Sequence, residues 1–214
     1  MKFSRRSDEP VAAAQAARPA APTSGPYDIS QAPKGVERLD LGALRLPAVE
    51  GVEVRVQADP DGVVQQVLLV DGQSALQIGV FAAPRTEGIW DEVREEIHAS
   101  LKEDGLTAAE HDGEFGVELR AVVPSPEGPA DIRFVGIDGP RWMVRGVFQG
   151  LAAAAPDQAQ SLTTCLRELV VDRGQDAMPV REPLDLRLPR EVVESAQAQQ
   201  AAEAAGVDGA PAGS

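Results

Sequence analysis

The stretch that decides the fold runs from residue 52 to residue 81 and reads VEVRVQADPDGVVQQVLLVDGQSALQIGVF. Val52, Val54 and Val56 alternate with polar residues, which is the period of a half-buried β-strand. The DPDG sequence at 59–62 predicts a turn, because proline fixes φ and glycine accepts positive φ. Residues 63–70 and 75–81 predict two further strands, so this stretch predicts antiparallel strands joined by hairpins.

The hydrophobic period changes after this stretch. Trp90, Val93, Ile97 and Leu101 recur at helical spacing and predict an amphipathic helix over residues 89–103. Three more strands and a second helix are predicted in the same order, over residues 115–123, 132–137, 142–148 and about 155–170. The order β-β-β-α-β-β-β-α predicts an α+β fold. Its mainly antiparallel sheet has about six to seven strands, with two helices packed on one face.

Composition divides the chain into three parts. Residues 1–26 are rich in alanine and proline and predict a disordered tail. Residues 27–190 predict a single α+β domain, which is long enough to enclose a core. Residues 191–214 predict an acidic tail that is disordered or weakly helical, because its alanines and glutamates form no apolar stripe.

Charge and cysteine content narrow the classes of function. The formal net charge is −14, which argues against nucleic-acid binding because phosphate contacts need clustered lysine and arginine. Cys165 is the only cysteine, so no intrachain disulfide can form. No apolar run approaches the length of a membrane span. We therefore expect a cytoplasmic protein with no membrane contact. Its composition is also compatible with a homo-oligomer.

Standard catalytic signatures are missing from the sequence. It contains no phosphate-binding loop, no dinucleotide-binding glycine pattern, no nucleophile elbow and no CxxC pair. His98 falls on the first predicted helix, and His111 falls in a predicted turn at 111–114. The sequence therefore predicts no catalytic residue, no metal site and no cofactor.

Two segments each place an arginine near a tryptophan, and they supply the candidate site: Arg85, Trp90, Arg141, Trp142 and Arg145. In one interpretation both tryptophans anchor the core and the arginines pair with nearby acids. In the other, the three arginines form a small basic island that receives a carboxylate, a phosphate or an acidic peptide. Strand alternation places Arg141 and Arg145 on the sheet face opposite Trp142.

The same two segments carry a family resemblance. FAAPRTEGIWDEVREEI (residues 81–97) and RFVGIDGPRWMVRGVF (residues 133–148) resemble the hallmark stretches of an uncharacterised bacterial family. This family, domain of unknown function 3710, occurs in high-GC Gram-positive bacteria. SRRSDEP (residues 4–10) and PLDLRLP (residues 183–189) fit it as well. The resemblance implies no activity and no catalytic residues. The predicted element order is also similar to the fold of the PsbP and Mog1 proteins.

Three functional hypotheses follow from these observations. The first is a non-enzymatic protein-interaction module that contacts a protein partner through an exposed sheet face or the arginine–tryptophan rim. The second is a binding protein, or an enzyme, for an anionic or nucleotide-type small molecule, with Arg85, Arg141 and Arg145 as an anion clamp. The third, nucleic-acid binding, is disfavoured by the charge. A thermal-shift screen of phosphorylated metabolites tests the second hypothesis. The most informative structural observation is whether the arginines and tryptophans line one concavity.

Overall fold

The computed structural model describes residues 25–126, 128–189 and 192–195. In chain order the strands are β1 (Tyr27–Asp28), β2 (Arg38–Asp40), β3 (Leu44–Pro47), β4 (Glu53–Ala58), β5 (Val64–Asp71), β6 (Ser74–Ala82), β7 (Ala108–Gly113), β8 (Gly116–Ser125), β9 (Gly128–Gly139), β10 (Trp142–Gly150) and β11 (Val170–Val171). The helices are α1 (Trp90–Glu103), α2 (Leu151–Ala154) and α3 (Gln160–Glu168), and a 3-10 turn (Pro156–Gln158) lies between the last two.

A seven-stranded antiparallel sheet with the order β4-β5-β6-β10-β9-β8-β7 forms the centre of the fold. It consists of two meanders, β4 to β6 and β7 to β10, which meet where β6 pairs with β10. This arrangement confirms the predicted α+β class and the antiparallel hairpins. Strand β7 was not predicted, and it carries His111, which the sequence assigned to a turn. Its sequence, AAEHDG, contains no β-branched or aromatic residue and lies on an exposed edge strand, so it carried no signal for a strand.

The two main helices cover opposite faces of this sheet, whereas the sequence predicted both on one face. A Cβ atom at Gly136 would collide with Trp90 of α1, and a Cβ atom at Gly146 would contact Leu166 of α3. Gly136 pairs with Arg145, the neighbour of Gly146 on β10, and successive strand residues point to opposite faces. The prediction was wrong because Phe81 and Met143 add an apolar patch to the face taken as uncovered.

The α3 face carries the main core. A second sheet, with the order β1-β11-β3-β2, supplies Leu44 and Leu46, which are buried together with Leu162 and Leu166 of α3 and Phe148 of β10. This small sheet contains the segment 37–49 that the sequence predicted as a short strand or a covering loop. The two sheets therefore share one apolar core with α3.

The chain after β11 returns along the large sheet as an extended C-terminal strap, residues 179–188. Arg181 donates its backbone N–H to the carbonyl of Ala82 at 2.7 Å, and Leu184 donates to the carbonyl of Val80 at 2.9 Å. The strap thereby occupies the edge of β6 beyond its last pair with β5, Val67 with Ile78. This path brings Arg181 to the α1 face of the sheet, beside α1 itself.

The predicted tails are barely represented in the described part of the chain. Residues 1–24 and 196–214 lie outside it. Gly25 and Pro26, which the sequence assigned to the N-terminal tail, are buried beside β1. Within the described residues, no helix has the length and hydrophobicity needed to cross a bilayer.

Candidate functional site

Both tryptophans of the candidate site are buried anchors. Trp90, at the start of α1, is 5% exposed and donates its indole N–H to the carbonyl of Val117 at 2.7 Å. Trp142, at the start of β10, is 1% exposed and donates to Asp28 Oδ2 at 3.2 Å. Their rings lie on opposite faces of the sheet, so the two tryptophans do not line a common surface.

Helix α1 is attached to the sheet by contacts at its N-terminus and at Arg94. Asp138, near the end of β9, accepts the backbone N–H groups of Ile89 and Trp90 at 2.8 and 3.2 Å. It thereby caps a helix whose own N-cap residue, Ile89, has no capping side chain. Arg94 donates to Glu110 on β7 at 2.8 Å, and this carboxylate raises the pKa of the guanidinium.

Arg145 points into the space between the sheet and α1. Its cross-strand neighbours are Gly79 on β6 and Gly136 on β9. Because neither glycine has a side chain, the ring of Trp90 fills the space over Gly136, and the ring of Phe81 lies against Gly79. The Arg145 guanidinium carbon lies 5.1 Å from the centre of the Phe81 ring. The two glycines thus make room for the two aromatic rings that lie beside this guanidinium.

The Arg145 guanidinium has no counterion among the described residues. It makes no hydrogen bond or ion pair there, and its Nε atom is buried without a partner. Burial lowers the pKa of Arg145 below its ordinary value, and no nearby carboxylate offsets that effect. An arginine remains charged at neutral pH even so, and a partly desolvated cation with no partner is energetically unfavourable.

A pocket of about 180 Å³ opens beside this guanidinium. We call it the α1 pocket, and it is lined by Phe81, Ile89, Val93, Glu96, Met143, Arg145 and Arg181. Arg181 of the strap donates to Glu92 and Glu96 of α1, at 2.6 Å in both cases. Glu96 therefore lines the same pocket as Arg145 but is paired with Arg181.

Arg85 and Arg141 lie together in a different pocket, of about 340 Å³, at the end of the sheet where β6 stops and β10 starts. We call it the loop pocket. Arg173, Asp28 and Asp172 also line it. Arg141 occupies the β9–β10 turn with a φ of 66° and donates its guanidinium to the carbonyl of Gly174. The structure thus brings together two of the three predicted arginines and places Arg145 apart from them.

The cysteine and the possible metal ligands provide no further candidate site among the described residues. Cys165, on the buried face of α3, is inaccessible, and burial raises the pKa of its thiol to about 11, so it is protonated at neutral pH. No group of three or more histidine, cysteine, aspartate or glutamate side chains in the described residues is placed to hold a metal ion.

Comparison with known proteins gives a family. The chain matches the family described as "Protein of unknown function (DUF3710)" over residues 25–195. The chain belongs to this family. No curated protein matches it. Among solved structures, the solution structure of cyanobacterial PsbP (CyanoP) from Synechocystis sp. PCC 6803 is similar. The match has 14% identity and a TM-score of 0.36, and it covers 65% of this chain and 97% of that chain.

The DUF3710 description assigns no activity, so the chemistry of this member is inferred from the α1 pocket and the loop pocket. Sequence reasoning missed Arg173 and Arg181, because both lie in irregular segments without periodicity. It also missed the α1 pocket itself. Gly79 and Gly136 were a usable signal, since a glycine inside a strand often marks a close approach or an open space.

Proposed function

We propose that the protein is a non-enzymatic interaction module and that the α1 pocket receives an acidic side chain of a protein partner. The observation that carries this proposal is the unpaired, partly desolvated guanidinium of Arg145. Buried charges in stable proteins are normally paired, and an arginine fork matches the two oxygens of a carboxylate. A partner's carboxylate would therefore supply the hydrogen bonds that this arginine lacks.

The size of the pocket favours a side chain over a nucleotide. Pockets that bind drug-sized molecules or cofactors usually enclose about 300–1,000 Å³. The α1 pocket encloses about 180 Å³. It therefore suits one side chain that projects from a larger partner, with the rest of the partner lying on the surrounding surface.

The apolar residues that line the α1 pocket indicate which sequence the partner should have around its acidic residue. Phe81, Ile89, Val93 and Met143 surround the guanidinium with apolar surface. Water is poorly placed to compete inside such a site, so an arginine–carboxylate contact is stronger there than on an open surface. The best occupant is an aspartate or glutamate with an apolar residue beside it in the partner's sequence.

The charge of the whole domain predicts an unusual salt response. With a net charge of −14, the protein repels an acidic partner at long range. Attraction arises only at contact, where the pair is shielded from salt. We therefore expect affinity to rise slightly or stay constant as salt is added, whereas binding of acidic partners to basic surfaces weakens.

A peptide library displayed on phage provides the test. The full-length protein is used for selection, and the enriched peptides are then measured against Arg145→Met by fluorescence anisotropy. We expect enriched peptides to share an aspartate or glutamate beside an apolar residue, and to bind Arg145→Met at least tenfold more weakly, which corresponds to about 1.4 kcal/mol.

Arg55→Met is the matched control, because Arg55 lies exposed on the edge strand β4 and pairs with Glu53. It should leave peptide affinity unchanged. Enriched peptides without a shared acidic residue, or peptides that bind wild type and Arg145→Met equally, would show that the α1 pocket is not the binding site.

We also place the protein in the cytoplasm. The support is its free, buried cysteine, which needs no oxidising compartment. A fusion to a reporter enzyme that is active only outside the cytoplasm should remain inactive in the source cell, whereas an active fusion would refute the assignment.

A further inference from the structure

A second site, separate from the α1 pocket, is formed by three arginines from three different segments. Arg85 follows β6, Arg141 occupies the turn between β9 and β10, and Arg173 follows β11. These segments converge because β6 pairs with β10 and the N–H of Ala83 donates to the carbonyl of Arg141 at 2.9 Å. We infer that this loop pocket binds the phosphate group of a small phosphorylated molecule.

None of the three guanidinium groups forms an ion pair with a carboxylate of the described residues. Seven arginines of the described part form ion pairs with carboxylates: Arg45, Arg55, Arg94, Arg120, Arg133, Arg167 and Arg181. In the loop pocket, by contrast, Arg141 and Arg173 donate only to backbone carbonyls, of Gly174 and Asp176. Arg85 makes no hydrogen bond or ion pair with another described residue. In so acidic a protein, three arginines in one pocket that form no ion pair with a described carboxylate mark a place for an external anion.

The two aspartates of the pocket have other partners. Asp28 accepts the indole N–H of Trp142 at 3.2 Å and the hydroxyl of Ser30 at 2.6 Å. The Oδ2 atom of Asp172 lies 3.4 Å from the Nη2 atom of Arg45, a residue that does not line the pocket. These carboxylates therefore pair with groups other than Arg85, Arg141 and Arg173, whose guanidinium groups can bind a ligand.

The backbone of Arg141 is strained at this site. Pro140 and Arg141 form a two-residue turn, and the φ of 66° at Arg141 is a conformation that favours glycine. An arginine in the left-handed region costs free energy that a glycine would not, and such strain concentrates at functional sites. The residue therefore carries a conformational cost while placing its guanidinium over the pocket.

The volume and chemistry of the pocket select the ligand. At about 340 Å³ it is nearly twice the volume of the α1 pocket and lies within the usual range for small ligands. A phosphomonoester carries about −1.5 to −2 charges and three acceptor oxygens, which suits several guanidinium forks better than one carboxylate does.

Thermal unfolding of the full chain tests this inference, with inorganic phosphate and glucose 6-phosphate as probes at constant ionic strength. Ligands stabilise the state that they bind, so a concentration of ten times Kd should raise Tm by roughly 3–6 °C. Arg141→Gly should abolish this rise. Because glycine relieves the positive φ, this variant should fold at least as well as wild type, and a lost response cannot be attributed to misfolding.

Arg85→Gln should weaken phosphate binding at least tenfold, while Arg55→Gln should leave it unchanged. Arg145→Met should also leave it unchanged, which separates this site from the proposed function of the α1 pocket. An absent phosphate response, or an equal response in wild type and Arg141→Gly, would overturn the inference. A response lost in Arg145→Met and kept in Arg141→Gly would move the phosphate site to the α1 pocket and overturn it as well.

Discussion

Arg133 and Arg145 lie on neighbouring strands of the same sheet, and the fold treats their charges in opposite ways. Arg133 points to the α3 face, where its guanidinium carbon lies 3.9 Å from the centre of the Phe148 ring. Arg145 points to the α1 face and lies over Phe81. Burial lowers the pKa of both guanidinium groups. Only Arg133 has a carboxylate, since Glu118 lies 3.1 Å from its Nη1 atom and opposes that pKa shift.

The cause of this difference is visible in the neighbouring strands. On the α3 face, β8 supplies Glu118, which is 2% exposed and pairs with Arg120 and Arg133 together. On the α1 face, both neighbours of Arg145 are glycines. Neither can supply an opposite charge, so the sheet neutralises one buried arginine and leaves the other without a counterion among the described residues. This difference is the reason that the proposed function is assigned to Arg145 and not to Arg133.

Replacing Arg133 should have the largest effect on stability. Arg133→Met removes one partner of a buried carboxylate, the hydrogen bond to the carbonyl of Ala152 and the contact with Phe148. Breaking a buried pair is strongly destabilising, so we expect the free energy of unfolding to fall by about 3 kcal/mol. Urea denaturation followed by circular dichroism measures this change, and an unchanged midpoint would show that Glu118 needs only Arg120.

The same substitution on the other face should have the opposite sign. Arg145→Met removes a charge that has no counterion and leaves an apolar side chain of similar length beside Met143 and Phe81. We expect the free energy of unfolding to rise by about 0.5–1 kcal/mol, a small gain because the guanidinium keeps some contact with solvent and loses its ring contact. The same denaturation experiment applies. A fall in the free energy of unfolding would instead mean that Arg145 supports the fold and is not reserved for a partner.

The fold was predictable from the sequence where periodicity was strong. Residues 52–58 and 75–81 alternate clearly, and the structure has strands at Glu53–Ala58 and Ser74–Ala82. The predicted helix over residues 89–103 is α1, Trp90–Glu103, and Gly105 follows it with a φ of 75°. The placement of the two helices was not predictable, because alternation shows which residues share a face but not what covers it.

The site was predictable only in part. Strand alternation correctly placed Arg145 on the face opposite Trp142. Its separation from Arg85 and Arg141 depends on tertiary contacts, because α1 closes over one side of β10 while the loops after β6 and β11 close over its start. Arg181 could not have been found, because its place in the α1 pocket depends on how the strap pairs with β6.

The smaller of the two predicted losses of peptide affinity concerns this strap and the guanidinium of Arg145. Glu96 lines the α1 pocket with Arg145 but pairs with Arg181, whose pKa it raises together with Glu92. Arg181 is held with a φ of 70°, so its backbone is fixed in an unfavourable conformation at this position. We expect that Arg181 acts as a positioning residue, because it draws the protein's own carboxylate away from Arg145.

Arg181→Ala should therefore weaken binding of a selected acidic peptide about three- to tenfold, because the released Glu96 can turn to Arg145 and compete with the peptide. Fluorescence anisotropy measures the affinity, and the double variant Arg181→Ala/Glu96→Gln tests the cause. If Glu96 is the competitor, the double variant should recover wild-type affinity, since its amide carries no charge to offer Arg145. If affinity stays low in the double variant, Arg181 contacts the peptide directly. The α1 pocket would then bind the partner through two arginines, and Arg181 would not be a positioning residue.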